Sequence, residues 1–92
     1  MIKVQFFTLL RLLVKIPDIE MDCGDVSVLQ LLLKTEMRMR DRFIHKLLNE
    51  DRSLRTGTII LVNGKNILHL DGLATIVHDG DTVALFPPGG GG

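Results

Sequence analysis

Asp79-Gly80-Asp81-Thr82-Val83-Ala84-Leu85-Phe86-Pro87-Pro88-Gly89-Gly90-Gly91-Gly92 is the stretch on which the reading of this chain turns. Asp-Gly-Asp is tight-turn chemistry, and Thr82 to Phe86 reads as a strand because apolar and β-branched residues alternate there. Pro87-Pro88 cannot donate to a sheet ladder and stops it. Four glycines then hold no regular structure of their own. Either they are an inert tail, or they are a chain end without side chains, able to enter a slot only wide enough for backbone.

Working outward, Ile2, Val4 and Phe6 alternate with Lys3, Gln5 and Phe7, so Ile2 to Phe7 predicts a first strand free to lie beside the closing one. Leu9 to Lys15 reads as a turn that carries leucines back to the core before Pro17, and Asp18 to Met21 as a second strand in hairpin with the first. Ser27 stands where a hydroxyl can cap a helix, and the apolar spacing predicts that helix over Val28 to Met37, with Leu29, Leu32 and Leu33 inward. Asp41 to Leu48 reads as a second short helix, since Phe43, Ile44, Leu47 and Leu48 fall on one face. Thr58 to Val62 reads as a strand buried on both faces, Asn63-Gly64 as a two-residue hairpin turn, and Lys65 to Leu68 as a short return strand.

The order strand, strand, helix, strand, short strand, strand satisfies the two-layer rule as a mixed sheet of about five strands packed on one main helix, with a second short helix. That is an α+β chain of the β-grasp, or ubiquitin-like, fold. Ninety-two residues suit one such domain, expected over residues 1–88, with 89–92 as a flexible glycine tail.

Composition narrows the function classes. Eleven basic residues balance eleven acidic ones, so the chain lacks the strongly basic footprint of a nucleic-acid binder. The apolar runs are far shorter than the roughly 20 residues of a membrane helix. A single cysteine, Cys23, forms no internal disulfide, and Met1 runs into the first strand without a leader, which points to the cytoplasm. No metal site is expected: His45, His69 and His78 lack the close spacing of zinc ligands. Asn63-Gly64-Lys65 lacks the remaining parts of a phosphate loop. From Lys34 to Arg55 seven basic residues stand against four acidic ones, which makes either a solvated face or a docking surface for an acidic partner.

Placed directly after the last strand of a β-grasp domain, the glycines take a recognisable position. The opening Ile2-Lys3-Val4-Gln5-Phe6-Phe7, the stretch Val62-Asn63-Gly64, then Leu70-Asp71-Gly72-Leu73-Ala74-Thr75 and His78 to Pro88 resemble the small subunit of molybdopterin synthase, within the family of MoaD and ThiS type ubiquitin-like sulfur carriers. The family's ending, Phe-Pro-Pro, two variable residues and Gly-Gly, maps onto Phe86-Pro87-Pro88, Gly89-Gly90 and Gly91-Gly92.

The resemblance implies a carrier subunit of a sulfurtransferase complex, not catalytic alone. An ATP-using, ubiquitin-activating-type adenylating enzyme would activate the carboxylate of Gly92, and a sulfur donor protein would convert it to a thiocarboxylate. The molybdopterin synthase large subunit, in a heterotetramer, would receive the tail and pass sulfur to the pterin precursor in molybdenum cofactor biosynthesis. Gly91 and Gly92 would carry the chemistry, Gly89 and Gly90 the access, and Pro87 and Pro88 the aim. No cofactor would be bound stably, ATP being consumed by the activating partner. Strand alternation places Phe7, Ala84 and Phe86 together on the outer face of the sheet, as a partner surface beside the tail. Three alternatives share much of this reading: a sulfur carrier for thiazole, cysteine or tRNA thiolation, a ubiquitin-like protein modifier, and a non-catalytic β-grasp interaction module with an inert tail.

Overall fold

The computed structural model describes residues 1–89. Five strands form one sheet in the order β2-β1-β7-β4-β5, where β1 is Ile2–Phe6, β2 Asp18–Met21, β4 Ile59–Val62, β5 Lys65–Asn66 and β7 Thr82–Phe86. β1 and β7 run parallel at the centre, with Val4 opposite Val83 and Phe6 opposite Leu85, and the other pairs are antiparallel. This is the expected β-grasp arrangement. Ile2, Val4 and Phe6 share the buried face with Ile60, Val62, Val83 and Leu85. β4 therefore has one buried face rather than two: Ile59 is 43% exposed, because the second layer covers a single side.

That layer is the helix α2, Val28–Arg38. Ser27 caps it reciprocally with Gln30, the Ser27 hydroxyl accepting from the Gln30 amide at 3.1 Å and the Gln30 side chain from the Ser27 amide at 2.9 Å. Such a cap contributes about 1 kcal/mol. Val28, Leu31, Leu32 and Thr35 form its buried stripe, while Leu29 is only partly buried against the core and Leu33 half-buried. The expected inward set was thus rotated. A run with apolar residues at nearly every position leaves the phase open, and the 87% exposure of Met37 shows which way the face turns. Ser27 belongs also to a short strand absent from the sequence reading: β3, Val26–Ser27, pairs antiparallel with β6, Ile76–Val77.

Two connections differ from expectation. Leu9–Val14 is the helix α1, not a turn, burying Leu10 and Val14 one turn apart and ending where Lys15 turns left-handed (φ 64°) ahead of Pro17. Asp41 to Leu48 retains only a 3-10 turn at Ile44–Lys46. The Glu36 carboxylate accepts from the amides of Phe43 at 2.9 Å and Ile44 at 3.0 Å, and the chain then bends so that Leu48 bridges Leu54. Phe43, Leu47 and Leu48 are nevertheless buried together, with the Phe43 ring edge-on to Phe6. Asn63 and Gly64 both take the positive φ of a tight hairpin (52° and 83°). The strand after them is shorter than expected, giving way to a 3-10 turn at Ile67–His69 that Asn66 caps.

Candidate functional site at the chain exit

Because β1 and β7 are parallel, the end of β7 emerges beside the end of β1. Phe7 extends the ladder by donating its amide to the Leu85 carbonyl at 3.1 Å. Its ring stacks on that of Phe86, with centroids 4.6 Å apart and planes 7° from parallel. Ile59 lies opposite Phe86, and Leu61 opposite Ala84. Phe7, Ala84 and Phe86 are each half-buried, so the outer face of the sheet carries an apolar patch at the exit.

Beyond Phe86 the chain is steered rather than released. Pro87 is buried and Pro88 half-buried, whereas Gly89 is exposed. Pro88 packs over Gly57, a residue with φ of 92°, where an added Cβ would lie 3.4 Å from the Pro88 Cβ and 3.5 Å from its Cα. The exit runs along a cavity of about 370 Å³ whose walls include Leu9 and Leu13 on the leucine side and Lys46 and Arg55 on the basic side. Thr8, just before α1, is held at φ 52°, an uncommon conformation for a β-branched residue.

Gly57 is not singled out by sequence, and the leucines of α1 and the basic pair Lys46 and Arg55, the latter part of the Lys34 to Arg55 run, are not expected beside the exit. A glycine ahead of a strand is ordinary, and its contact with Pro88 joins positions far apart in the chain. Gly90, Gly91 and Gly92 lie outside the described residues.

The opposite end of the sheet is tied by polar contacts. The Asp81 carboxylate accepts from the His78 amide at 2.8 Å and the Asn63 side-chain amide at 2.9 Å, which hold it below the usual carboxylate range. Asn63 in turn accepts from the Thr82 amide at 2.9 Å. His78 approaches Asp81 at 3.7 Å, and the Met1 ammonium pairs with Asp79. His45 and His69 are exposed, and Cys23 packs partly against the core. Among the described residues no three His, Cys, Asp or Glu side chains converge as metal ligands, and no helix is long and apolar enough to cross a membrane. The surroundings of the exit offer shape, apolar contact and positive charge.

Known proteins are similar to this chain in sequence and fold. Small archaeal modifier protein 3 of Haloferax volcanii is 46% identical over 43 residues, 47% of this chain and 47% of that protein, so the match spans about half the length of each. A candidate sulfur carrier protein of Archaeoglobus fulgidus is 36% identical over 76 residues, covering 82% of this chain and 84% of that one. A chain in the crystal structure of the Amycolatopsis orientalis BexX/CysO complex superposes with a TM-score of 0.80 at 26% identity, covering 100% of both chains. Residues 4–92 match the ThiS family from the first strand through the glycines, and the chain belongs to that family of ubiquitin-like sulfur carriers.

Proposed function

We propose that this chain carries sulfur on the carboxylate of Gly92, taken as the carboxyl terminus, and delivers it as the small subunit of molybdopterin synthase. A free carboxylate is a poor electrophile. Attack of its oxygen on the α-phosphorus of ATP, in the site of a ubiquitin-activating-type partner, expels pyrophosphate and gives an acyl adenylate. The outer sulfur of a persulfide on a sulfur donor protein then attacks the acyl carbon and displaces AMP, and a second thiol cleaves the acyl disulfide so formed, freeing the thiocarboxylate and leaving the donor cysteine in a disulfide with that thiol. The large subunit, in a heterotetramer, takes the tail and the pterin precursor accepts the sulfur. In this reading residues 1–88 are the folded carrier and 89–92 the arm. The chain holds no cofactor of its own, and the need for ATP and reduced sulfur places it in the cytoplasm.

The observation that supports this reading is the exit itself. A strand end braced by Pro88 over Gly57 and bordered by the Phe7–Phe86 stack is followed by glycines alone. Backbone without Cβ atoms fits a narrow slot, and a partner seated on the apolar patch would set the depth of insertion. A second reading, a protein modifier whose terminal glycine ends in an isopeptide bond to lysine, is favoured by the likeness to small archaeal modifier protein 3. Both share the adenylation step.

Intact mass after incubation with the cognate activating enzyme, ATP and a sulfur source tests the carrier reading. The wild-type chain gains the sulfur-for-oxygen difference. Deleting Gly92 withdraws the carboxylate by roughly 3.3–3.6 Å and abolishes the gain without altering the melting temperature. A truncated chain that gains sulfur equally well overturns the proposal. Adding the large subunit with the pterin precursor, or a lysine-bearing extract, separates the two fates: loss of sulfur to the pterin supports the synthase, and an amide-linked adduct supports the modifier.

A further inference from the structure

We infer that a basic groove beside the exit receives an acidic segment, bearing an apolar side chain, of the adenylating enzyme that activates the tail. The inference rests on the carrier reading, which supplies the partner. The groove is an open depression of about 730 Å³ between the end of α2 and the loop that precedes β4. Arg42, His45, Arg52 and Arg55 line it, together with apolar surface from Leu33 and Ile44. Arg55 also borders the cavity along Pro87–Gly89, so the two depressions share a wall. A partner that follows the tail into its slot meets the groove as part of the same footprint.

Among the described residues the three arginines have no carboxylate partner, and Arg55 donates only to the His45 carbonyl, at 3.3 Å. Among the described residues the ion pairs are Met1 with Asp79 and His78 with Asp81, and no lysine or arginine side chain pairs with a carboxylate. Two nearby carboxylates are engaged elsewhere. Glu36 is held by the amides of Phe43 and Ile44, and Asp51 by the Ser53 hydroxyl at 2.6 Å and the Ser53 amide at 3.0 Å. Those two Ser53 contacts keep Asp51 below its ordinary range and orient it toward Ser53, and Arg52, at φ 69°, forms no ion pair among the described residues. Charge complementarity therefore calls for an acidic occupant.

That occupant is a peptide rather than a nucleic acid. Three arginines beside Glu36 and Glu50 leave too small a positive excess to hold a phosphate backbone though enough to pair one or two carboxylates, and the lining has no Phe, Tyr or Trp to stack a base. Balanced total charge argues the same way. Leu33 and Ile44 instead offer contact to one apolar side chain.

The test is the kinetics of activation, followed by AMP release and product mass, with wild type, an Arg42→Glu/Arg52→Glu double variant, and Lys65→Glu on the far hairpin as control. All three should show the same far-ultraviolet dichroism and melting temperature. The double variant should raise the KM for the carrier about tenfold and leave kcat at saturation unchanged, because encounter is weakened and the tail is intact. Wild-type KM should rise steeply with salt, and the variant's should rise less. Lys65→Glu should match wild type. Unchanged KM and unchanged salt dependence in the double variant overturn the groove and leave the carrier reading standing. A wild-type chain that is never activated sinks both. Bulk transfer RNA serves as a second probe: binding by wild type that the double variant loses, with KM unaltered, overturns the peptide in favour of a nucleic acid.

Discussion

Replacing Gly57 by alanine isolates what steers the tail. The residue sits at φ 92°, outside the regions that side-chain-bearing residues favour, and its Cβ would come within 3.4 Å of the Pro88 Cβ. That distance is ordinary van der Waals contact and adds little. The cost is the backbone, about 1–2 kcal/mol for forcing an L-residue with a Cβ into left-handed space. For a domain of this size each kcal/mol lowers the melting temperature by about 4–8 °C, so thermal dichroism should fall by about 4–16 °C. Gly57→Asn should lose less, since asparagine tolerates positive φ better. If the chain relieves the strain by letting φ turn negative, the 56–58 backbone moves under Pro88 and the exit direction changes, so activation should slow in the fraction that remains folded. Alanine and asparagine variants as stable as wild type would refute the reasoning, because strain at Gly57 would then not exist.

Phe86→Asp should leave the melting temperature within a few degrees of wild type, because the ring lies on the outer face against Phe7 rather than in the core. It should weaken capture of a tail-binding partner by more than tenfold in titration calorimetry, as expected for an aromatic anchor, and unfolding instead would mean that the outer face supports the core. Asp81 governs acid stability. Its folded pKa is depressed by the His78 amide and the Asn63 side chain, so its contribution is fully present above the unfolded value of about 3.9 and is lost as pH falls through the lower folded value. Asp81→Ala should cost about 1.5–3 kcal/mol at pH 7 and flatten the acid limb of the stability curve measured by urea titration. A variant that keeps the full acid limb would show that other carboxylates carry it.

Strands and turns were legible because their signals are local. Thr82–Phe86, Asp18–Met21, the Ser27 cap and the Asn63-Gly64 turn each follow from a few neighbouring residues. What escaped depends on contacts between distant segments. The Leu9–Val14 run has helical composition, but only burial of Leu10 and Val14 beneath the chain makes a six-residue helix hold, since helices this short are marginal alone. The 41–48 segment was grouped correctly by face, yet only one 3-10 turn forms, its first amides accepted by Glu36 and its exit bent by the Leu48–Leu54 bridge, a contact no residue within the segment announces. Phe7 and Phe86 were brought together by alternation alone, whereas Pro88 over Gly57 could not be, because nothing within either segment refers to the other.

The polar end of the sheet and the apolar exit are coupled through register. A slip of one residue between β1 and β7 would exchange the faces of Leu85 and Phe86, burying the ring that stacks on Phe7 and exposing a core leucine. The start of β7 is pinned against such a slip by the Asn63 side chain on the Thr82 amide, the Asn63 amide on the Thr82 carbonyl at 2.8 Å, and the Lys3 amide on the Asp81 carbonyl at 3.0 Å. These bonds lie at the far end of the strand from Pro87. A parallel strand of five residues transmits their register unchanged, because each step along it alternates face without exception. Hydrogen bonds around Asp81 and Asn63 thereby determine which side of the sheet presents Phe86. The turn at 78–82 is in this sense part of what shapes the proposed docking surface, although none of its side chains lies there.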